Sequence, residues 1–122
     1  MLLLIPILCV AAGGAIGALL RYALIQLVMH LHPAPFPLGT LLVNILGSGA
    51  IGYLMARYHA ADSEAARLFF ITGVLGGFTT FSAFSWDALQ LLTRGVYMQA
   101  ALYVLGSVGL SLAAVAAGYK LG

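Results

Sequence analysis

Four long apolar segments, separated by short connectors, constrain this chain more than any other feature of its sequence. They cover residues 3–29, 38–56, 68–92 and 97–119 of a chain of 122 residues. Each is close to or above the roughly 20 residues that a helix needs to cross a bilayer core of about 30 Å. Since 63% of all residues are hydrophobic and only 7% are charged, no part of the chain remains for a soluble domain. The sequence therefore predicts an all-α integral membrane protein with four transmembrane helices.

The third segment is unusual because its centre, GVLGGFTTFSAFS at residues 73–85, is rich in glycine, hydroxyls and phenylalanine. A membrane span does not need these residues. The pair Gly76 and Gly77, followed by Thr79 and Thr80, is where such a helix can kink or open and release backbone carbonyls. Irregular backbone at this depth usually accompanies an ion or substrate site. We therefore expect a third helix that is broken in mid-span, although close packing against another helix explains the glycines equally well.

The basic residues indicate how the chain is oriented. With four spans, Arg57, Arg67 and Lys120 fall on one face of the membrane, and Arg21 and Arg94 fall toward the other. Orientation follows an excess of lysine and arginine on the cytoplasmic side, and three against two is a weak bias. Insertion in both orientations is therefore expected, which allows an antiparallel, dual-topology homodimer.

Two polar side chains lie inside the predicted spans. Asn44 is near the middle of the second span, where a buried amide must find hydrogen bonds. Thr40 and Gly47 share its helical face. Arg21 lies near the membrane boundary, where a cation is costly unless it reaches the interface or lines water. An interhelical hydrogen bond for Asn44 and snorkelling for Arg21 are the plain alternatives to an ion path and an anion-attracting vestibule.

Small residues recur at helical spacing in the first and fourth spans. Gly13 and Gly17 form one strip, and Ala114 and Gly118 form another. Small residues four apart let two helix backbones approach closely in a membrane. We expect both strips to be helix packing faces.

Residues suited to catalysis or metal binding are scarce. The single cysteine, Cys9, lies in an apolar helix and is expected to pack there. His30 and His32 stand next to prolines without a third metal ligand nearby. The connector before the third span is solvated, and Asp62 or Ser63 is expected to cap the helix that follows. These residues form no catalytic set, so we expect no enzyme.

The polar residues of the spans suit a small anion. Such an ion must exchange its water for donors that bind strongly enough to admit it and weakly enough to release it. Uncharged donors are present in one amide and several hydroxyl side chains, namely Asn44, Thr40, Ser82 and Tyr103. Aromatic rings are electropositive at their edges, so Phe81 and Phe84 can meet an anion edge-on.

Three motifs in order carry a resemblance to a known family: GAxxRY at residues 17–22, GTLxxNxxGS at residues 39–48 and GxxGGFTTFSxFS at residues 73–85. Together they resemble the Fluc (CrcB-type) family of fluoride ion channels across all four spans. The resemblance implies a passive, fluoride-selective channel that exports fluoride from the cytoplasm and so reduces its toxicity. It also implies an antiparallel homodimer in the cell membrane, the inner membrane in bacteria, with a structural sodium ion at the dimer centre. The implied partners are fluoride, a second copy of the chain and membrane lipid, without nucleic acid.

The same resemblance implies roles for individual residues. The fluoride pathway would consist of an amide, two rings and three hydroxyls: Asn44, Phe81, Phe84, Thr40, Ser82 and Tyr103. Arg21 would lie in a vestibule, and the backbone carbonyls of Gly76 and Thr79 would bind sodium. Two departures from the family pattern stand out. Ala83 occupies a position that usually carries a hydroxyl, and Asp87 replaces the usual glutamate with a shorter acid.

Two other functions compete with an anion channel. A small multidrug-resistance-like, proton-coupled exporter has the same four-helix plan, but it relies on a carboxylate within its first span, and the first span here has none. Asp87 is the only acid within the predicted spans, and it lies near a span end. A helix-packing subunit without transport explains the glycines but not Asn44 together with the FTTFS run.

Overall fold

The computed structural model describes residues 2–59 and 61–122, which form helices joined by short connectors and contain no strand. Four helical stretches are long and apolar enough to cross a membrane, as the sequence predicts. The first, second and fourth are α1 (Leu4–Leu31), α2 (Leu38–Arg57) and α6 (Tyr97–Leu121). The third is composite, with α3 (Glu64–Arg67), a π-helix (Leu68–Leu75), α4 (Gly76–Phe78) and α5 (Phe81–Thr93).

The helices extend beyond several of the predicted apolar segments. The first and fourth end at residues 31 and 121 rather than 29 and 119. The third begins at Glu64 rather than at residue 68, because the Ser63 hydroxyl accepts a hydrogen bond of 3.2 Å from the Ala66 N–H and acts as its N-cap. Glu64 also pairs with Arg67 in this exposed first turn. Ser63 is one of the two caps that the sequence offers, so that prediction is confirmed.

The third span changes its winding along its length. A π-helix is rare beyond a single turn and is frequent at functional sites, and here it runs directly into α4. After α4 the backbone is extended at Thr79 and Thr80, whose ψ angles are 156° and 115°, before α5 begins. Gly76 and Gly77 remain helical, so the extended residues are the two threonines. We call Thr79 and Thr80 the interruption.

Glycines bring the helices together in two pairs, α1 with the first half of the third span and α2 with α6. A Cβ atom on Gly17 of α1 would overlap the carbonyl of Val74 on the π-helix. Likewise, a Cβ atom on Gly118 of α6 would overlap the carbonyl of Gly49 on α2. Both predicted strips of small residues are therefore packing faces, as expected.

Few large side chains are buried within one chain. The main cluster joins Phe84 and Leu91 of α5 to Ala100 and Tyr103 of α6, with Phe36 packed against it. Most other large apolar side chains on all four spans face outward. Helices that are hydrophobic on every side belong in lipid or against another protein. The chain is accordingly a multi-pass membrane protein.

The connectors place the charged residues at opposite ends of the bundle. The Arg94 guanidinium donates to the carbonyl of Pro35, at 3.4 Å, in the connector that follows α1. At the other end, Gly122 lies beside Ala56 and Arg57 at the end of α2. Arg21 lies within α1, ten residues before its last residue, Leu31, and it points toward neither connector but toward the third span.

Candidate functional site

The interruption redirects two backbone N–H groups from their usual helical partners. In a continuous helix, the N–H of Thr80 would donate to the carbonyl of Gly76, and that of Ala83 to the carbonyl of Thr79. Instead, the Thr80 N–H donates to the Asn44 Oδ1 at 2.8 Å, and the Ala83 N–H donates to the Thr80 hydroxyl at 3.1 Å. The carbonyls of Gly76 and Thr79 therefore lose the donors that a helix would have supplied.

Asn44 of α2 holds the interruption from one side. Besides accepting from the Thr80 N–H, its Nδ2 donates to the Thr80 carbonyl at 3.0 Å. This pair of bonds determines which end of the amide carries oxygen. Asn44 therefore forms the interhelical hydrogen bond that its mid-span position requires. One Nδ2 hydrogen is left after these bonds, because a primary amide has two donors.

Arg21 of α1 holds the same segment from the other side. Its Nε donates to the carbonyl of Gly77 at 3.0 Å, and the side chain is half-buried. In the described part of the chain the only ion pair joins Arg67 to Glu64, so Arg21 has no carboxylate partner there. Its positive charge is therefore uncompensated near the middle of the third span.

Aromatic side chains line one end of the site. Phe81, the first residue of α5, is 77% exposed, and its ring centroid lies 5.4 Å from that of Phe84, which is buried. The Phe84 ring in turn lies 5.3 Å from the ring of Tyr103 on α6. The Tyr103 hydroxyl donates to the carboxylate of Asp87 at 3.0 Å. The two phenylalanines thus share a face of α5, and the intramembrane acid has a donor.

A groove of about 640 Å³ opens between α2, the third span and α6. It is open along one side of the chain. Among the described residues that line it, none is charged. Its polar lining consists of an amide, hydroxyls and the interruption, contributed by Asn44, Ser48, Thr72, Thr79, Thr80, Ser107 and Ser111.

The groove brings together five of the predicted site residues and leaves four outside. Those that line it are Asn44, Gly76, Thr79, Phe81 and Phe84. The other four do not line it. Thr40 is buried on α2, Ser82 is exposed with its hydroxyl 3.2 Å from that of Thr80, Tyr103 is bonded to Asp87, and Arg21 reaches Gly77 from α1.

Two serines of α6 were not among the predicted site residues. Ser107 and Ser111 line the groove, and the Ser107 hydroxyl is buried without a hydrogen-bond partner among the described residues. Because serine is small, both resemble packing residues of α6 when only the sequence is considered. The signal that would have separated them is their spacing, because Tyr103, Ser107 and Ser111 recur every four residues along one helical face.

Comparisons with known proteins agree on one family. The family described as CrcB-like protein, Camphor Resistance (CrcB), matches residues 8–119. The chain is 52% identical over 118 residues to a fluoride-specific ion channel FluC of Rhizobium leguminosarum bv. trifolii, with 94% of each chain covered. It is 49% identical over 111 residues to the protein of the same name from Roseiflexus sp., covering 89% of this chain and 90% of that one. It is also 52% identical over 122 residues to the one from Agrobacterium fabrum, covering 98% of this chain and 97% of that one.

Proposed function

Because the chain belongs to the CrcB family, we propose that it is a passive, fluoride-selective ion channel that exports fluoride from the cytoplasm and so reduces its toxicity. The observation that carries the proposal is the uncharged groove beside the interruption, which presents an amide, hydroxyls and the exposed ring of Phe81. The matched relatives are named fluoride-specific ion channels, which supports the same function.

The chemistry of the groove fits a small, strongly hydrated anion. Fluoride must give up water on entry, and the free N–H of Asn44 and the Ser107 hydroxyl offer replacement donors. The electropositive edges of Phe81 and Phe84 offer a second kind of contact. Since no lysine or arginine lines the groove within the described residues, an anion would be held weakly enough to leave.

The proposed pathway extends beyond the groove. Thr40, Ser82 and Tyr103 would supply further hydroxyls, and the unpaired charge of Arg21 would attract anions into a vestibule. Ala83 supplies no hydroxyl, so Ser82 and Thr80, whose hydroxyls lie 3.2 Å apart, would carry the polar path at that point. The proton-coupled alternative relies on a carboxylate in the first span, and the first span has none. Asp87, the acid within the predicted spans, lies near the end of the third.

A second copy of the chain would complete the pore. The groove is open on one side, and Phe81 at its edge is mostly exposed within a single chain. The polar groups of the groove would face hydrocarbon in a single chain, so they call for a wall of protein on the open side. We propose an antiparallel homodimer, inserted in both orientations in the bacterial inner membrane with lipid around it, because the basic residues bias the topology only weakly.

The residues at the interruption fit a sodium ion held by backbone oxygen. Gly76 and Thr79 line the groove, and their carbonyls have lost their helical donors to Asn44 and Thr80. Carbonyl oxygens are suitable ligands for hard cations, and an interrupted span is where such ions bind in membrane proteins. These two residues would hold the ion, and it would supply a fixed positive charge of structural role at the dimer centre.

Efflux from vesicles tests the function directly. Liposomes containing the purified protein are loaded with potassium fluoride or potassium chloride, diluted into low potassium and triggered with valinomycin. Rapid release of fluoride and negligible release of chloride is the expected result. Equal release of both ions, or no fluoride release, would contradict the proposal. Labelling of reporter cysteines placed at both termini tests the topology, since uniform orientation of all copies is incompatible with an antiparallel dimer.

A further inference from the structure

The interruption leaves one more carbonyl that needs a partner. In a continuous helix the carbonyl of Gly77 would accept from the N–H of Phe81, but Phe81 begins α5 beyond the extended residues. The Nε of Arg21 takes that place at 3.0 Å. Of the carbonyls near the interruption, that of Gly77 is thus occupied by a side chain from α1, and those of Gly76 and Thr79 have lost their helical donors.

The path of α1 explains why Arg21 reaches this carbonyl. Gly13, Gly17 and Arg21 follow one another at intervals of four, so they lie on one face of α1. The two glycines bring the α1 backbone against the third span, where a Cβ on Gly77 would lie only 2.5 Å from the carbonyl of Gly14. One turn further along, the Arg21 side chain lies over the end of α4.

We propose that Arg21 is a positioning residue for the cation site: its Nε–H holds the Gly77 carbonyl away from the groove, so that the carbonyls of Gly76 and Thr79 are the ones presented to sodium. This inference rests on the sodium site proposed above. It differs from a vestibule role, because it assigns the effect to one N–H donor rather than to the charge of the guanidinium.

The two roles are separable because glutamine and arginine share the position of one nitrogen. The Nε2 of glutamine stands at the same place along the side chain as the Nε of arginine, so Arg21→Gln keeps the donor and removes the charge. Lysine keeps the charge but has a carbon at that place. Methionine keeps the length of the chain and removes both the donor and the charge.

The experiment measures sodium binding by the intact purified protein in detergent. Thermal unfolding is followed while sodium replaces potassium at constant ionic strength. The stabilisation follows RT ln(1 + c/Kd), where c is the sodium concentration, and the apparent Kd for sodium obtained from this fit is recorded as the midpoint. We expect Arg21→Gln to keep a midpoint close to that of the wild type and Arg21→Met to raise it roughly tenfold. A general loss of packing would lower the unfolding temperature at every sodium concentration without moving the midpoint.

The order of the variants decides the outcome even if Arg21→Met does not fold. The positioning role requires Arg21→Gln to resemble the wild type more closely than Arg21→Lys does. The reverse order would overturn the inference in favour of charge alone. A wild-type midpoint in Arg21→Met would also overturn it, because neither the donor nor the charge of Arg21 would then affect sodium binding. A wild-type protein whose stability ignores sodium would overturn it as well, and the efflux of fluoride from vesicles then shows separately whether the channel function stands.

Discussion

Replacing Asn44 by aspartate is expected to lower fluoride conduction roughly tenfold or more while the protein still folds. In the wild type, Oδ1 accepts from the Thr80 N–H at 2.8 Å and Nδ2 donates to the Thr80 carbonyl at 3.0 Å. The second Nδ2 hydrogen is the one available to an ion in the groove. Aspartate has no N–H, so Asn44→Asp lacks this donor whether its carboxyl group is neutral or ionised.

The size of the effect differs between the two protonation states but has the same sign. A neutral acid can keep both contacts with Thr80 and loses only the donor to the ion, which is worth about 1.5–3 kcal/mol when the partner is charged, or roughly ten- to a hundredfold in rate. An ionised acid would repel an anion 4 Å away by about 4 kcal/mol at an effective dielectric constant of 20, or roughly a thousandfold. The neutral acid keeps both contacts with Thr80, so in that state the free energy of unfolding should fall by no more than about 1 kcal/mol. The ionised acid would set an oxygen against the Thr80 carbonyl and lower the free energy of unfolding further.

Fluoride efflux from reconstituted vesicles measures this prediction, with unfolding in detergent as the check on the fold. Gln90→Glu is the matched control, because it makes the same change from amide to acid at an exposed position near the end of α5. Efflux by Asn44→Asp that is indistinguishable from the wild type, at equal amounts of folded protein, would refute the placement of Asn44 on the ion path. An equal loss in Gln90→Glu would instead attribute the effect to added negative charge in general.

Three further changes test the site and its supports. Phe81→Ile is expected to lower fluoride efflux roughly tenfold or more with the fold intact, because the ring is 77% exposed beside the groove. Unchanged efflux would show that this ring does not line the pore. Gly17→Ala should lower the free energy of unfolding by about 1–3 kcal/mol, measured by thermal unfolding in detergent. Gly14→Ala is the control and should be neutral, because its Cβ would lie 4.0 Å from the nearest carbonyl of the third span. Tyr103→Phe removes the hydroxyl 3.0 Å from Asp87 and should cost about 1–2 kcal/mol in the same assay, and equal stability would contradict that bond.

The spans themselves were predictable because long apolar segments admit few structures. The ends of the spans were harder to predict, because a helix cap depends on a side-chain hydrogen bond and not on hydrophobicity. The third span starts at Glu64 because Ser63 caps it, yet Glu64 and Arg67 look like connector residues in a hydropathy pattern. The π-helix Leu68–Leu75 leaves no signal at all in the apolar pattern, because its departure from α-helical winding lies in the backbone.

The candidate site was predictable in part for the same reason. The mid-span position of Asn44 predicts that its amide group is hydrogen-bonded, and in the structure the backbone of Thr80 makes both hydrogen bonds. Side-chain patterns do not identify such a partner, since every residue carries an N–H and a carbonyl. The hydrogen bond from Arg21 to the Gly77 carbonyl could not be predicted either, because its acceptor is also a backbone group. Ser107 was not predicted as a site residue, because a serine is small enough to pack between helices as well as to donate to an ion.

The side chains that hold the interruption have a consequence for biogenesis. Arg21 and Asn44 both belong to spans that precede the third one in the chain. Because translation proceeds from the N-terminus, α1 and α2 are synthesised before the third span. The side chains that hydrogen-bond to the interruption are therefore available when the third span enters the bilayer. A circular permutant that delivered the third span first would expose those groups to hydrocarbon, at several kcal/mol for each one left unsatisfied.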